Sequence, residues 1–147
     1  MPSSAGRHNS TINTAAAAVV ENGQLLVVAK HAVPRLFLHP GGKIEPGELS
    51  YHTVTRELRE ELGVTATVVE ELGSVEIQSA IERSPLRLSL FLTLIEGNLE
   101  PRGEISSYRW VRPGERGILL ASGVATFTLP LLVRRRLVWT LEDSRDR

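Results

Sequence analysis

Three glutamates, Glu57, Glu60 and Glu61, fall at i, i+3 and i+4, with Glu48 upstream, in "GGKIEPGELSYHTVTRELREELGV" (Gly41–Val64). From Ser50 to Leu62 the pattern is helical. Ser50 can cap, and Tyr51, Val54, Leu58 and Leu62 recur at three- and four-residue steps, an apolar stripe about 80° wide at roughly 100° per residue. The three carboxylates then share a neighbouring arc of about 100°. Like charges so placed repel, which makes a hard divalent cation their natural occupant: magnesium takes oxygen ligands and commonly uses one or two carboxylates together with waters and substrate phosphates. The histidines, His8, His31, His39 and His52, are scattered and there is no cysteine, so the pattern does not suit zinc.

The segment before the helix adds to this. Gly41, Gly42 and Gly47, with Pro40 and Pro46, specify a tight irregular turn in which backbone groups can approach a ligand closely, and carbonyl oxygens there can complete a metal shell. Glu48 can fold back toward the acidic cluster. Arg56, about 100° around the helix from Glu57, can pair with Glu48 or Glu60 and fix their orientation.

The elements that must position this helix can be read along the chain. "AAAAVVENGQLLVVAK" gives apolar runs Ala15–Val20 and Leu25–Ala29 split by Asn22-Gly23, a strong hairpin signal. "RLFLHP" predicts a third strand. "VTATVVEELGSVEIQSAI" is β-branched and broken at Gly73, and "RLSLFLTLIEG" alternates Leu88, Leu90, Leu92 and Leu94 on one inward face. "ISSYRWV" is a further strand candidate. "TLPLLVRRRLVWTL" spaces Leu131, Leu132, Arg135, Val138 and Trp139 as one closing amphipathic helix with Pro130 near its start. Strands separated by two helices predict an α/β sandwich around a mixed sheet. Residues 1–13 are expected to form a flexible tail, residues 14–141 a single domain, and residues 142–147 a charged C-terminal tail.

Composition fits that reading. The chain has 147 residues, 41% hydrophobic and 23% charged, within the globular range. Seventeen basic residues balance seventeen acidic ones, so no overall field draws the protein to nucleic acid or an anionic membrane. The absence of cysteine excludes disulfides and thiolate chemistry. With no long apolar run near its start, the chain is expected to be soluble and cytoplasmic. Arg134, Arg135 and Arg136 read as a charged outer helix face, and Phe91, Tyr108, Trp110 and Phe127 read as packing residues.

Gly42, five residues, Glu48, seven residues, then Arg56-Glu57-Leu58-Arg59-Glu60-Glu61-Leu62-Gly63-Val64 resembles the Nudix box at every defining position. Seven such residues at fixed offsets coincide by chance on the order of once in 10⁸ starting positions. The resemblance implies a Nudix-type α/β/α sandwich around a mixed β-sheet, and divalent-metal-dependent hydrolysis of a nucleoside diphosphate linked to some group X. It implies Glu57, Glu60 and Glu61 as Mg²⁺ or Mn²⁺ ligands, the Gly41 carbonyl and Glu48 as further ligands, Arg56 as the orienting cation, and Glu104 as a loop candidate for the general base. The partner would be a nucleotide small molecule, and a homodimer is compatible with such a fold. Without the extra signatures that mark other subgroups, a nucleoside triphosphate, oxidised or not, cleaved to monophosphate and pyrophosphate, is the expected substrate. ADP-ribose or a nucleotide sugar is the alternative substrate, and a non-catalytic nucleotide sensor is the alternative of another class.

Overall fold

The computed structural model describes residues 11–79, 81 and 84–144. The tail readings for residues 1–10 and 145–147 lie outside the described residues.

The first apolar run serves two sheets. Strand β1 (Ile12–Ala18) lies in a four-stranded sheet with β5 (Gly41–Lys43), β6 (Thr65–Gln78) and β7 (Pro85–Glu96), ordered β5-β1-β7-β6, whereas β2 (Val20–Glu21) pairs with β3 (Gln24–Lys30) in a second sheet that also holds β4 (Val33–Leu38), β8 (Ile105–Val111) and β9 (Leu119–Leu120). The hairpin turn predicted at Asn22-Gly23 is present, with φ of 52° and 74°, the twin positive values that a two-residue turn of matching twist requires. The expected long pairing of Ala15–Val20 with Leu25–Ala29 is not, because the chain changes sheet at Val19. Strand β1 runs parallel to β7 (Pro85–Glu96) and antiparallel to β5 (Gly41–Lys43), so the sheet is mixed.

Alternation along β1 and β3 explains their unbroken apolar sequences. Ala15, Ala17, Leu26 and Val28 enter one core with Val54, Leu58 and Leu62 of helix α1 (Ser50–Leu62). Ala16, Ala18, Leu25 and Val27 enter another with Val124, Leu129 and Leu132 of the C-terminal helical segment. Strands covered on both faces cannot afford a polar side, and the result is the α/β/α arrangement.

Four expectations are corrected. Ser50 is the first helical residue and the cap position belongs to Leu49, which offers no side-chain bond; Glu48 holds this end instead, as described below. Tyr51 leaves the predicted core stripe, is 45% exposed and lies against the His52 ring. Strand β6 (Thr65–Gln78) passes Gly73 unbroken, because the register shifts there as in a bulge that glycine at φ 146° accommodates. On β7 the leucine stripe is buried only at Leu88 and Leu90; beyond them Phe91 and Thr93 are buried while Leu94 is 61% exposed, since opposite faces of this strand are covered along its length.

The closing helix is also divided. A π-helical segment, Gly123–Thr128, runs into α2 (Leu129–Arg134), and the chain then turns at Arg136 with φ 59° before a short α3 (Leu141–Ser144). Val138 is still buried, and the Trp139 backbone N–H donates to the Gly23 carbonyl at 3.1 Å, so the turn brings the chain end back onto the hairpin. Among the described residues no helix is long and apolar enough to cross a membrane.

Candidate active site

Strand β5 carries Gly41 and Gly42 alongside β1, and the loop from Ile44 leads directly into α1. Glu48 fastens that loop to the helix. Its Oε1 accepts bonds from the Thr53 hydroxyl at 2.6 Å and the Glu45 backbone N–H at 3.1 Å. Arg56 grips the same carboxylate with two prongs, Nε to Oε2 at 2.7 Å and Nη2 to Oε1 at 2.9 Å. The guanidinium also donates to Glu57 at 2.7 Å, to the Lys43 carbonyl at 3.2 Å and to Glu60 at 3.4 Å. One rigid planar cation thus sets the positions of three glutamates and a strand carbonyl. The Arg56 and Thr53 bonds hold the Glu48 carboxyl down at about 2, and the Glu48 bond in turn raises the pKa of Arg56.

Glu61 lies deeper. It is 4% exposed, and its Oε1 accepts the Gly41 backbone N–H at 3.0 Å. Glu57 sits beside it, near enough for each carboxyl to feel the other's charge. Burial, and then the neighbouring Glu57 charge, pushes Glu61 up to about 9. Burial also raises Glu57, against the opposing pull of Arg56. Two carboxyls withdrawn from water with too little positive charge are the electrostatic signature of a place built for a cation or a proton.

Of the sequence candidates, Glu57 and Glu61 meet directly, with Gly41 and Gly42 against them. Glu60 stays on the helix surface, its side chain 57% exposed and turned to Arg56. Glu48 lies on the far side of the same guanidinium. Among the described residues no three His, Asp or Glu side chains converge as a ready metal cluster. The oxygen-only character of the buried pair fits a hard divalent ion. Glu104 reaches the same site from the turn before β8: it lines the cleft with Glu57 and Glu61, forms a 3.6 Å ion pair with Lys30, and its charge contributes to the rise of Glu61.

Sequence reasoning missed Lys30, Thr53 and His39. Lys30 ends β3 and enters the site only because the β3–β8 register sets it opposite Ile105, next to Glu104. Thr53 had a local signal, a hydroxyl one helical turn inside a start that lacks a good cap residue. His39 gave none. Its Nε2 lies 2.5 Å from the Thr128 hydroxyl, 89 residues away, and burial lowers its pKa to about 4. Lys30 and His39 border, with Arg56, Glu57, Glu61 and Glu104, one cleft of about 640 Å³, ample for a small-molecule ligand, whereas Thr53 lies outside its lining.

Fold and site together define a class: an α/β sandwich in which a Gly-Gly strand and a glutamate-rich helix meet at a cleft. The NUDIX domain family model matches residues 11–125, and the chain belongs to the Nudix family. It is 30% identical over 95 residues (64% of this chain) to a Bacillus subtilis protein provisionally named an 8-oxo-dGTP diphosphatase. It is 39% identical over 66 residues (43% of this chain) to the CTP pyrophosphohydrolase of Escherichia coli. The alignments span 61% and 49% of those two relatives' own lengths. Among solved structures, the E. coli ORF135 protein superposes with a TM-score of 0.70 at 28% identity, over 86% of this chain and 91% of that one.

Proposed function

We propose that the protein is a divalent-metal-dependent pyrophosphohydrolase that cleaves a nucleoside triphosphate to the monophosphate and pyrophosphate. The observation that carries this reading is the Glu57–Glu61 pair beside Gly41, half-buried at Glu57 and buried at Glu61, which is raised to about 9. Similarity to relatives named for nucleoside triphosphates favours that substrate class over nucleotide sugars.

In this reading Glu57 and Glu61 would hold the ion, Mg²⁺ or Mn²⁺, with the Gly41 carbonyl as a further oxygen, while Glu60 and Glu48, both bonded to Arg56, would join only by turning toward it. The bound ion shields phosphate charge and acidifies water. Arg56 keeps Glu57 fixed on one side while the Gly41 N–H fixes Glu61 on the other, so neither carboxylate must reorganise when substrate arrives. Lys30 offers a positive charge to the polyphosphate. Glu104, beside Lys30 and reached by solvent, takes the proton of the attacking water as its oxygen bonds to phosphorus and the anhydride P–O bond breaks.

The test is a screen of purified protein with Mg²⁺ and then Mn²⁺ against nucleoside triphosphates, oxidised guanine nucleotides, ADP-ribose, nucleotide sugars and dinucleoside polyphosphates, with EDTA as control. Metal-dependent release of pyrophosphate from triphosphates is expected. Nucleotide binding with no cleavage anywhere in the panel would instead identify a sensor.

A further inference from the structure

The cleft has two chemically different ends. At β5 it is lined by Glu57, Glu61 and Arg56; across β1, at β7 and β6, it is lined by Leu86, Leu88 and Ile77, with Gly123 and His39 beside them. From β5 to β7 is two strand spacings, about 10 Å. A ligand whose phosphates meet the carboxylate end therefore presents its other end to the aliphatic walls.

That second end has an unusual lining. Among the described residues bordering the cleft there is no Phe, Tyr or Trp. The aromatic residues lie elsewhere: Phe91, Tyr108 and Trp110 in the core under α1, Phe37 and Phe127 in the core under the C-terminal segment, Tyr51 exposed on α1 and Trp139 against the Gly23 turn. His39 supplies the one ring, and it is held from outside the cleft: the π-helical turn brings Thr128, itself fully buried, to its Nε2 at 2.5 Å. The other nitrogen, Nδ1, has no partner among the described residues. No side-chain nitrogen or oxygen sealed from water lacks a partner among those residues, so Nδ1 is reached by solvent, and His39 itself lines the cleft. Gly123 sets the width. A Cβ there would stand 2.8 Å from Ile77 Cδ1, the movable end of a side chain, and 3.7 Å from the His39 ring, so glycine leaves the widest gap between helix and sheet.

We propose that His39 is a specificity-determining residue which reads the hydrogen-bonding edge of a nucleobase seated between these aliphatic walls, with Thr128 as its positioning residue. The inference deepens the hydrolase reading and rests on it for the placement of the phosphates. A flat group with two apolar faces and a polar edge suits the walls of Leu86, Leu88 and Ile77 with His39 at their border. Gln78, Ser79 and Ser122 also line the cleft, so His39 is one of several polar groups along it. Nε2 either donates to or accepts from the Thr128 hydroxyl, and Nδ1 takes the other role; bases that carry the complementary group at that edge satisfy it and the others do not.

The experiment is calorimetric binding of the nucleoside monophosphates of adenine, guanine, cytosine and uracil, without metal, to wild type, His39→Leu and Thr128→Val. Wild type is expected to rank the four bases over roughly tenfold or more, the factor that one hydrogen bond at a desolvated site supplies. His39→Leu should bring the four affinities to within about threefold of one another, and Thr128→Val should narrow the range partway. Thr128→Val keeps the buried volume, so it still reports if His39→Leu fails to fold. An unchanged base ranking in a folded variant overturns the role of His39 even where hydrolysis is intact. Failure of wild type to bind any monophosphate also overturns it. Base-selective binding that disappears in His39→Leu, in a protein that cleaves nothing, would uphold this inference and sink the hydrolase reading alone.

Discussion

Gly41 and Gly42 are adjacent, and the structure requires glycine at each for a different reason. At Gly41 the backbone has φ 146°, and an added Cβ would collide with the Ala15 carbonyl and stand 2.8 Å from Ala16 Cα. Those atoms belong to the central strand β1 and cannot move. At Gly42 the Cβ would stand 2.7 Å from the Glu57 carboxylate, the movable end of a flexible side chain. For Gly41→Ala, left-handed strain of about 1–3 kcal/mol adds to overpacking of about 1–3 kcal/mol, giving a loss of roughly 3 kcal/mol. For a domain of this size that lowers Tm by about 10 °C. Gly42→Ala should lose about 1 kcal/mol or less, because Glu57 can swing aside. Swinging aside, however, breaks the 2.7 Å bond to Arg56 and moves Glu57 away from Glu61. Thermal unfolding and turnover of the triphosphate that wild type cleaves best, measured on both variants, separate the two effects. Gly41→Ala should be the unstable one, and Gly42→Ala should keep its Tm within about 4 °C while losing about tenfold or more in kcat. Wild-type turnover by Gly42→Ala would refute the claim that the placement of Glu57 matters, and a stable Gly41→Ala would refute the packing argument at β1.

Other outcomes follow from the same contacts. Glu61 has a folded pKa near 9, far above its ordinary 4.5, so between these values the unfolded chain releases a proton that the folded chain retains. Stability of the metal-free protein should therefore be full below about pH 4.5 and fall as pH rises toward 9, whereas Glu61→Gln should show a flatter profile in urea unfolding from pH 5 to 9. Arg56→Lys keeps the charge but cannot reproduce the two-pronged hold on Glu48 together with the bond to Glu57; kcat should fall by more than tenfold while circular dichroism is unchanged, and equal kcat would refute the geometric role of the guanidinium. Gly23→Ala places a Cβ 2.5 Å from the Trp139 ring at a residue with φ 74°, so it should lower Tm by several degrees without changing KM.

What the sequence made legible was local. The α1 helix is specified by its own periodicity and ended by Gly63, which takes φ 68° as its N–H bonds back to the Arg59 carbonyl, and the acidic face could be drawn on a wheel. The wheel could not show that Glu60 would remain in solvent while Glu61 sank to 4% exposure, because that depends on how β5 and β1 meet the helix. The strands that were expected are present, but Gly41-Gly42, read as an irregular turn, begins strand β5 because β1 pairs with it. Partners were not legible: Ala15–Val20 is one apolar run in sequence and parts of two sheets in space. The closing helix looked continuous because Leu132 and Val138 are both buried. A turn at Arg136, however, lets two separate pieces reach the same core. Lys30, Glu104 and His39 join the cleft through pairings of 74 or more residues' separation, which no local pattern carries.

The central claim is that Glu57 and Glu61 form the metal-holding, catalytic end of the cleft. Its most direct test is Mn²⁺ binding and Mg²⁺-dependent pyrophosphate release by wild type, Glu57→Gln and Glu61→Gln, each checked for folding by circular dichroism. The account predicts folded variants that bind Mn²⁺ at least tenfold more weakly and turn over slower by a factor on the order of 10² or more. Wild-type metal affinity and turnover in Glu61→Gln would contradict it.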